Sequence, residues 1–203
     1  MIFFLVLGAL VSVFGTSASQ PADFVPGEIL VRFTRGSEGS AAVDRASTAT
    51  PPTLDALASV IQGLQNETGI PLRAKKLQAG GWVLLEVDSE KLATELFSRI
   101  SRAEVAVEVK TGSRSWVIIR FAAESSEYIA VQEKVRSGGD VEFNDLIRNL
   151  ESETGLPLVA KPGESGELEL RVDLRELTST LVLRLKSLCG VESAQPNFLL
   201  TIR

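Results

Sequence analysis

Histidine is absent from this chain of 203 residues, and cysteine, methionine and tyrosine occur once each. Without an imidazole there can be no Ser-His-Asp triad and no His-paired thiol nucleophile, and a single thiolate cannot build a conventional zinc site. The lone Cys189 also excludes an intramolecular disulfide; beside Leu188 and Val191 it reads as a small buried hydrophobe. No polar residues stand at catalytic spacing, so the chain reads as a non-enzyme without cofactor or metal. Basic excess is missing too. With 21 Lys and Arg against 26 Asp and Glu the net charge is −5, which disfavours nucleic acid as a partner.

Long apolar runs are confined to the start. Residues 1–14 carry no charge, and small residues follow up to Ser19, with Thr16 and Ala18 placed to suit cleavage. Residues 1–19 therefore read as a signal peptide lacking the usual basic n-region, with a retained N-terminal anchor as the alternative. The run is short for a membrane span and nothing later is long enough, so the expectation is a secreted or periplasmic protein, off the membrane once the leader is removed. An apolar share of 44% with 23% charged residues is that of a globular protein.

An internal repeat organises the rest. Glu67-Thr68-Gly69-Ile70-Pro71-Leu72 recurs as Glu153-Thr154-Gly155-Leu156-Pro157-Leu158. Ahead of it, Ile29-Leu30-Val31-Arg32-Phe33 matches Val117-Ile118-Ile119-Arg120-Phe121. Behind it, Val87-Asp88 with Leu92, Leu96, Arg99 and Ile100 matches Val172-Asp173 with Leu177, Leu181, Arg184 and Leu185. Two units follow, residues 24–110 and 115–203, joined by a linker short enough that they should touch.

Each unit reads as βαββαβ. A β-branched strand opens it. A helix follows, with Leu54, Leu57, Ile61 and Leu64 as the apolar stripe in the first unit, and Phe143, Leu146, Ile147 and Leu150 in the second. Gly69 and Gly155 suit its C-terminus, while Thr53 and Asp140 suit its start. A hairpin comes next, turning at Gly80-Gly81 or between Pro162 and Gly166. The second helix is capped by Asp88 or Asp173, and a last strand, 105–109 or 191–194, closes the unit. The expected class is α+β: two tandem ferredoxin-like units, each a four-stranded antiparallel sheet with two helices on one face. Residues 34–52 read as a long surface loop, and residues 124–139 as a loop with an extra helical turn.

That fold names no function. An acylphosphatase would need a Gly-rich phosphate loop with an Arg beside it, but Arg32 and Arg120 lie within strands. RNA-binding versions display aromatics in a basic context, whereas Phe33, Trp82, Trp116 and Phe121 sit in an acidic chain. Trp82 and Trp116 read as ordinary strand residues packing on the sheet. Metallochaperones need paired cysteines. Asn66-Glu67-Thr68 is a glycosylation acceptor triplet, of consequence only in a eukaryotic secretory route.

The chain ends carry a resemblance. Phe24-Val25-Pro26-Gly27-Glu28-Ile29-Leu30-Val31-Arg32-Phe33 resembles the opening strand of subtilisin-like protease propeptides, and Cys189-Gly190-Val191-Glu192-Ser193-Ala194-Gln195-Pro196-Asn197-Phe198 resembles their closing strand. No protease domain follows within the chain. The resemblance implies a subtilisin-like serine protease as partner, with the sheet packed on two of its helices and the C-terminal tail extended in its substrate groove. Main-chain pairing would supply affinity there. Phe198, Leu199, Leu200, Thr201, Ile202 and Arg203 would form that tail, with Leu200 in an apolar subsite and Arg203 in the primary pocket. By location, the acidic Glu164 and Glu167 would cap helix N-termini on the protease. Three readings follow: an inhibitor or folding helper, a non-inhibitory interaction module that kept the fold, or the separated pro-region of a protease precursor.

Overall fold

The computed structural model describes residues 23–49, 53–102, 106–111, 116–163 and 165–199. The elements, in order, are β1 (Phe24–Phe33), α1 (Glu38–Thr48), α2 (Ala58–Thr68), β2 (Leu72–Gln78), β3 (Trp82–Val87), α3 (Ser89–Arg102), β4 (Glu108–Thr111), β5 (Val117–Arg120), α4 (Ser126–Ser137), α5 (Val141–Thr154), β6 (Leu158–Pro162), β7 (Glu167–Val172), α6 (Leu174–Ser187) and β8 (Val191–Phe198). The class is α+β, with two four-stranded antiparallel sheets.

The sheets do not follow the sequence repeat. The first sheet runs β2-β3-β1-β8 and the second β4-β5-β7-β6. Both have the order of a ferredoxin-like unit, but each takes its last strand from the other half. The preceding helices cross over as well: α3 packs on β4, β5 and β7, and α6 packs on β1 and β8. The contiguous spans 24–110 and 115–203 are therefore not the units of packing.

Short connections account for the exchange. β4 ends at Thr111 and β5 begins at Val117, and these two residues face each other as the first pair of a hairpin. Pairing strands so close in sequence loses little loop entropy. It commits β4 to the second sheet, and leaves the free edge of β1 to β8.

Pleat alternation separates core from outer face. In β1, Ile29, Val31 and Phe33 are buried, as are Val83, Leu85 and Val87 in β3; Val117, Ile119, Leu168 and Leu170 do the same in the second sheet. With Leu92, Leu96 and Ile100 of α3 and Leu177, Leu181 and Leu185 of α6, they join one continuous apolar cluster spanning both halves. Each fully buried Leu or Ile contributes about 1.5–3 kcal/mol of transfer free energy.

The region read as a loop at 34–52 contains α1. Its Ser37 accepts a capping bond from Ser40 N at 3.2 Å, and Ala42, Val43 and Ala46 are buried. Gly39 lets this helix approach the sheet, since a Cβ there would lie 2.3 Å from the Phe33 ring. In the second half, α4 has 12 residues rather than one extra turn, capped by Ser125. Among the described residues each half thus carries three α-helices, one more than expected. Gly69 and Gly155 end α2 and α5 in the left-handed conformation, and Asp173 caps α6 through Arg175 N and Glu176 N. Asp140 makes no cap bond; its carboxylate goes to Lys134 instead.

The exchange repeats one contact in mirror form. Arg99 of α3 donates to the Thr154 carbonyl at the end of α5, at 2.5 Å. Its counterpart Arg184 of α6 donates to the Thr68 carbonyl at the end of α2, at 3.3 Å. In both cases a guanidinium from one half meets the negative end of a helix dipole in the other. This gives the repeated Glu-Thr-Gly segment a structural role, as the docking point for the crossed-over helix.

Candidate functional site

The exchange brings the opening and closing segments side by side. β8 lies antiparallel to β1, with Ile29 facing Pro196, Leu30 facing Gln195 and Val31 facing Ala194. β8 is an edge strand of its sheet, so its far side carries no strand among the described residues. Between Phe24 and Ile29 the register shifts, and β1 bulges through Pro26-Gly27-Glu28. Thr178 of α6 holds this bulge by accepting from Gly27 N at 2.7 Å in a buried position.

On the outer face the bulge turns Glu28 toward β8. Asn197 Nδ2 donates to Glu28 Oε2 at 2.6 Å, and Lys75 of β2 pairs with the other oxygen. Lys75 also reaches Glu86 at 3.3 Å, and Glu86 takes Arg73 at 2.9 Å. Glu28 is only 8% exposed. Burial pushes its carboxyl pKa upward, but the bonds from Lys75 and Asn197 prevail and hold it below the ordinary carboxylate value. The hydrogen bonds that Lys75 donates to Glu28 and Glu86 raise the pKa of its ammonium in return.

At the end of β8 the chain is clasped again. The Phe198 ring meets Phe24 edge to face, with centroids 6.5 Å apart. Leu199 N donates to the Asp23 carbonyl at 2.9 Å. Arg175 bonds the Asp23 carboxylate at 2.7 Å and lies over the Phe24 ring at 4.9 Å. The hydrogen bond and charge of Arg175 lower the Asp23 pKa.

Of the residues expected to form the site, Phe198 and Leu199 lie at this exit, 45% and 52% exposed. Leu200, Thr201, Ile202, Arg203 and Glu164 fall outside the described residues. Glu167 begins β7 in the other sheet, where it pairs with Arg120, which also holds Glu108 at 3.0 Å. Glu167 and the tail exit are thus on different sheets. Sequence reasoning missed Glu28, Lys75, Arg175 and Thr178. Glu28 and Asn197 stood inside the quoted motifs, but nothing local signals that they bond across 169 positions.

Other expectations resolve individually. Cys189 is exposed rather than buried, because it follows α6 in the turn before β8. Trp82 lies on the outer face beneath the Arg32 guanidinium at 5.1 Å, and Trp116 beneath Arg171 at 4.9 Å. Thr68 of the glycosylation triplet is 5% exposed, with its hydroxyl bonded to the Leu64 carbonyl at 2.7 Å. Among the described residues no three Cys, Asp or Glu side chains converge as metal ligands. Scans against protein-family models, curated proteins and solved structures find no match to this chain.

Proposed function

We propose that the first sheet is a propeptide-like module that binds a subtilisin-like serine protease, as an inhibitor or folding helper. The observation that carries this reading is the Glu28–Asn197 bond at 2.6 Å. It joins the Pro-Gly-Glu of the opening segment to the Pro-Asn of the closing one, so the two stretches that resemble the protease family form one structural unit although they belong to different halves. β8, which ends at Phe198, is an edge strand of this unit, the geometry from which an extended segment can pair with a partner's backbone. The second half then serves as a donor of α6 and β8 and as a support. A leader over residues 1–19 would deliver such a protein outside the cytoplasm, next to secreted proteases. N-terminal sequencing of the exported protein tests that step.

Titration of the protein starting at Gln20 into a panel of subtilisin-like proteases tests the proposal. Inhibition at micromolar concentration that is lost when residues 200–203 are removed is the expected result. No inhibition by either form overturns it. One observation favours a second reading, a non-inhibitory interaction module: Phe198 and Leu199 are already engaged by Phe24 and Asp23. On that reading, trimming the tail changes no binding partner.

A further inference from the structure

A groove of about 640 Å³ runs along one flank of α2 and is faced by the turn from α6 into β8. Phe33, Val60, Leu64, Leu188 and Val191 give it an apolar lining, and no lysine or arginine borders it. Small-molecule sites fall in this size range, with mostly apolar walls and a few placed polar groups. Gly63 keeps the groove open. It stands in the interior of α2, where glycine lowers helix stability, yet nothing outside its own stretch of helix lies within 4 Å of the place a Cβ would take. The packing of the chain on itself does not require glycine here, in contrast to Gly39 under the Phe33 ring.

Glu67 supplies the charge. It follows Val60 by two turns of helix and lies between Gly63 and Leu64 when viewed down the axis, so its side chain leaves α2 on the groove side. Its carboxylate has no ion pair among the described residues; Arg184, docked at this end of α2, donates to the Thr68 carbonyl instead. The last turn of α2 holds no basic residue, and the helix dipole disfavours an anion there. Glu38, in the first turn of α1, adds a second carboxylate to the lining.

The repeat supplies an internal comparison. Val60, Gly63, Leu64 and Glu67 align with Leu146, Asn149, Leu150 and Glu153, which line a space of about 250 Å³ beside Glu127 of α4. The apolar pair and the carboxylate are thus present twice, and the smaller space holds asparagine where the larger holds glycine.

We infer that the groove along α2 binds a small amphipathic cation, its apolar body on Val60, Leu64 and Leu188 and its ammonium on Glu67. An ammonium brings three donors and no acceptor to that carboxylate. The apolar walls supply the rest of the affinity, which for a ligand of this size is roughly millimolar.

Calorimetric titration of the chain starting at Gln20 with octylammonium chloride at neutral pH tests this, beside octanol as the uncharged tail and ethylammonium as the bare head group. Octylammonium should bind one to one, octanol about tenfold more weakly or worse, and ethylammonium not measurably. Glu67→Gln should weaken octylammonium about tenfold. Gly63→Asn, which places the residue of the second half in the groove, should abolish binding. Both positions are exposed, so circular dichroism should be unchanged and the urea midpoint no lower in either variant. Octanol binding as tightly as octylammonium, unchanged affinity in either variant, or no binding of octylammonium at roughly ten times the expected constant would each overturn the inference.

Discussion

At the residue scale, Glu28 is the group on which the outer face of the first sheet turns. It is nearly buried, and its partners come from β2 and β8, so removing either partner leaves a carboxylate short of donors in a partly dry site. Asn197→Ala should therefore cost about 1–3 kcal/mol in urea denaturation. Because the folded-state pKa of Glu28 is depressed, its contribution is present above the unfolded carboxylate pKa and is lost as pH falls through the folded value. Stability measured from neutral pH downward should decline over that acid range, and Glu28→Gln should flatten the decline while lowering stability at neutral pH. An acid limb identical to the parent protein would show that Glu28 is not the group titrating.

At the element scale, the crossed-over helices α3 and α6 are docked by equivalent arginines in unequal settings. Arg99 is 28% exposed and bonds the α5 terminus at 2.5 Å, while Arg184 is exposed and bonds the α2 terminus at 3.3 Å. Arg99→Ala should cost about 1–2 kcal/mol and Arg184→Ala less, in equilibrium unfolding. Equal losses would mean that the two docking points do not differ in strength.

Elements with strong periodicity were legible in the sequence. The stripe Phe143, Leu146, Leu150 and the glycines ending α2 and α5 marked those helices, and Gly80-Gly81 marked a hairpin. α1 was hidden because its buried face is made of Ala42, Val43 and Ala46, small side chains among Ser, Thr and Gly that give little hydrophobic contrast despite the helix propensity of alanine. Cys189 was misread because apolar neighbours in sequence say nothing of which way a turn faces. The partner of each last strand was not legible at all. β4 and β8 hold the same place in the repeat and each fits the free edge beside either opening strand, so the choice rests on loop length and on the packing of α3 and α6 across the molecule.

That choice matters most for the molecule as a whole. Tandem units of roughly 85 residues would each be marginal alone, and independent units would unfold independently. Exchange of α3–β4 for α6–β8 instead makes one core, to which both halves contribute at both sheets. Trp82 lies on the first sheet and Trp116 beside the second, a natural pair of reporters. In variants keeping one tryptophan each, fluorescence should report coincident urea midpoints. Leu168→Ala in the second sheet should lower both midpoints together, with a loss of about 2–5 kcal/mol in unfolding free energy, because Leu168 is fully buried. Separate midpoints would indicate units that fold apart.

The exchange also unites the segments that suggest a protease partner, so the pairing of β1 with β8 underlies the functional reading as well as the fold. Leu30 and Gln195 face each other on the outer side of this pair. With Cys189 replaced by Ser, the double variant Leu30→Cys and Gln195→Cys should form an intramolecular disulfide on mild oxidation in dilute solution, because paired strand positions place Cβ atoms within bridging range. After cleavage at a protease site engineered into residues 112–115 and denaturation without reductant, the two halves should run as one linked species. Halves that separate under those conditions would contradict the exchanged arrangement.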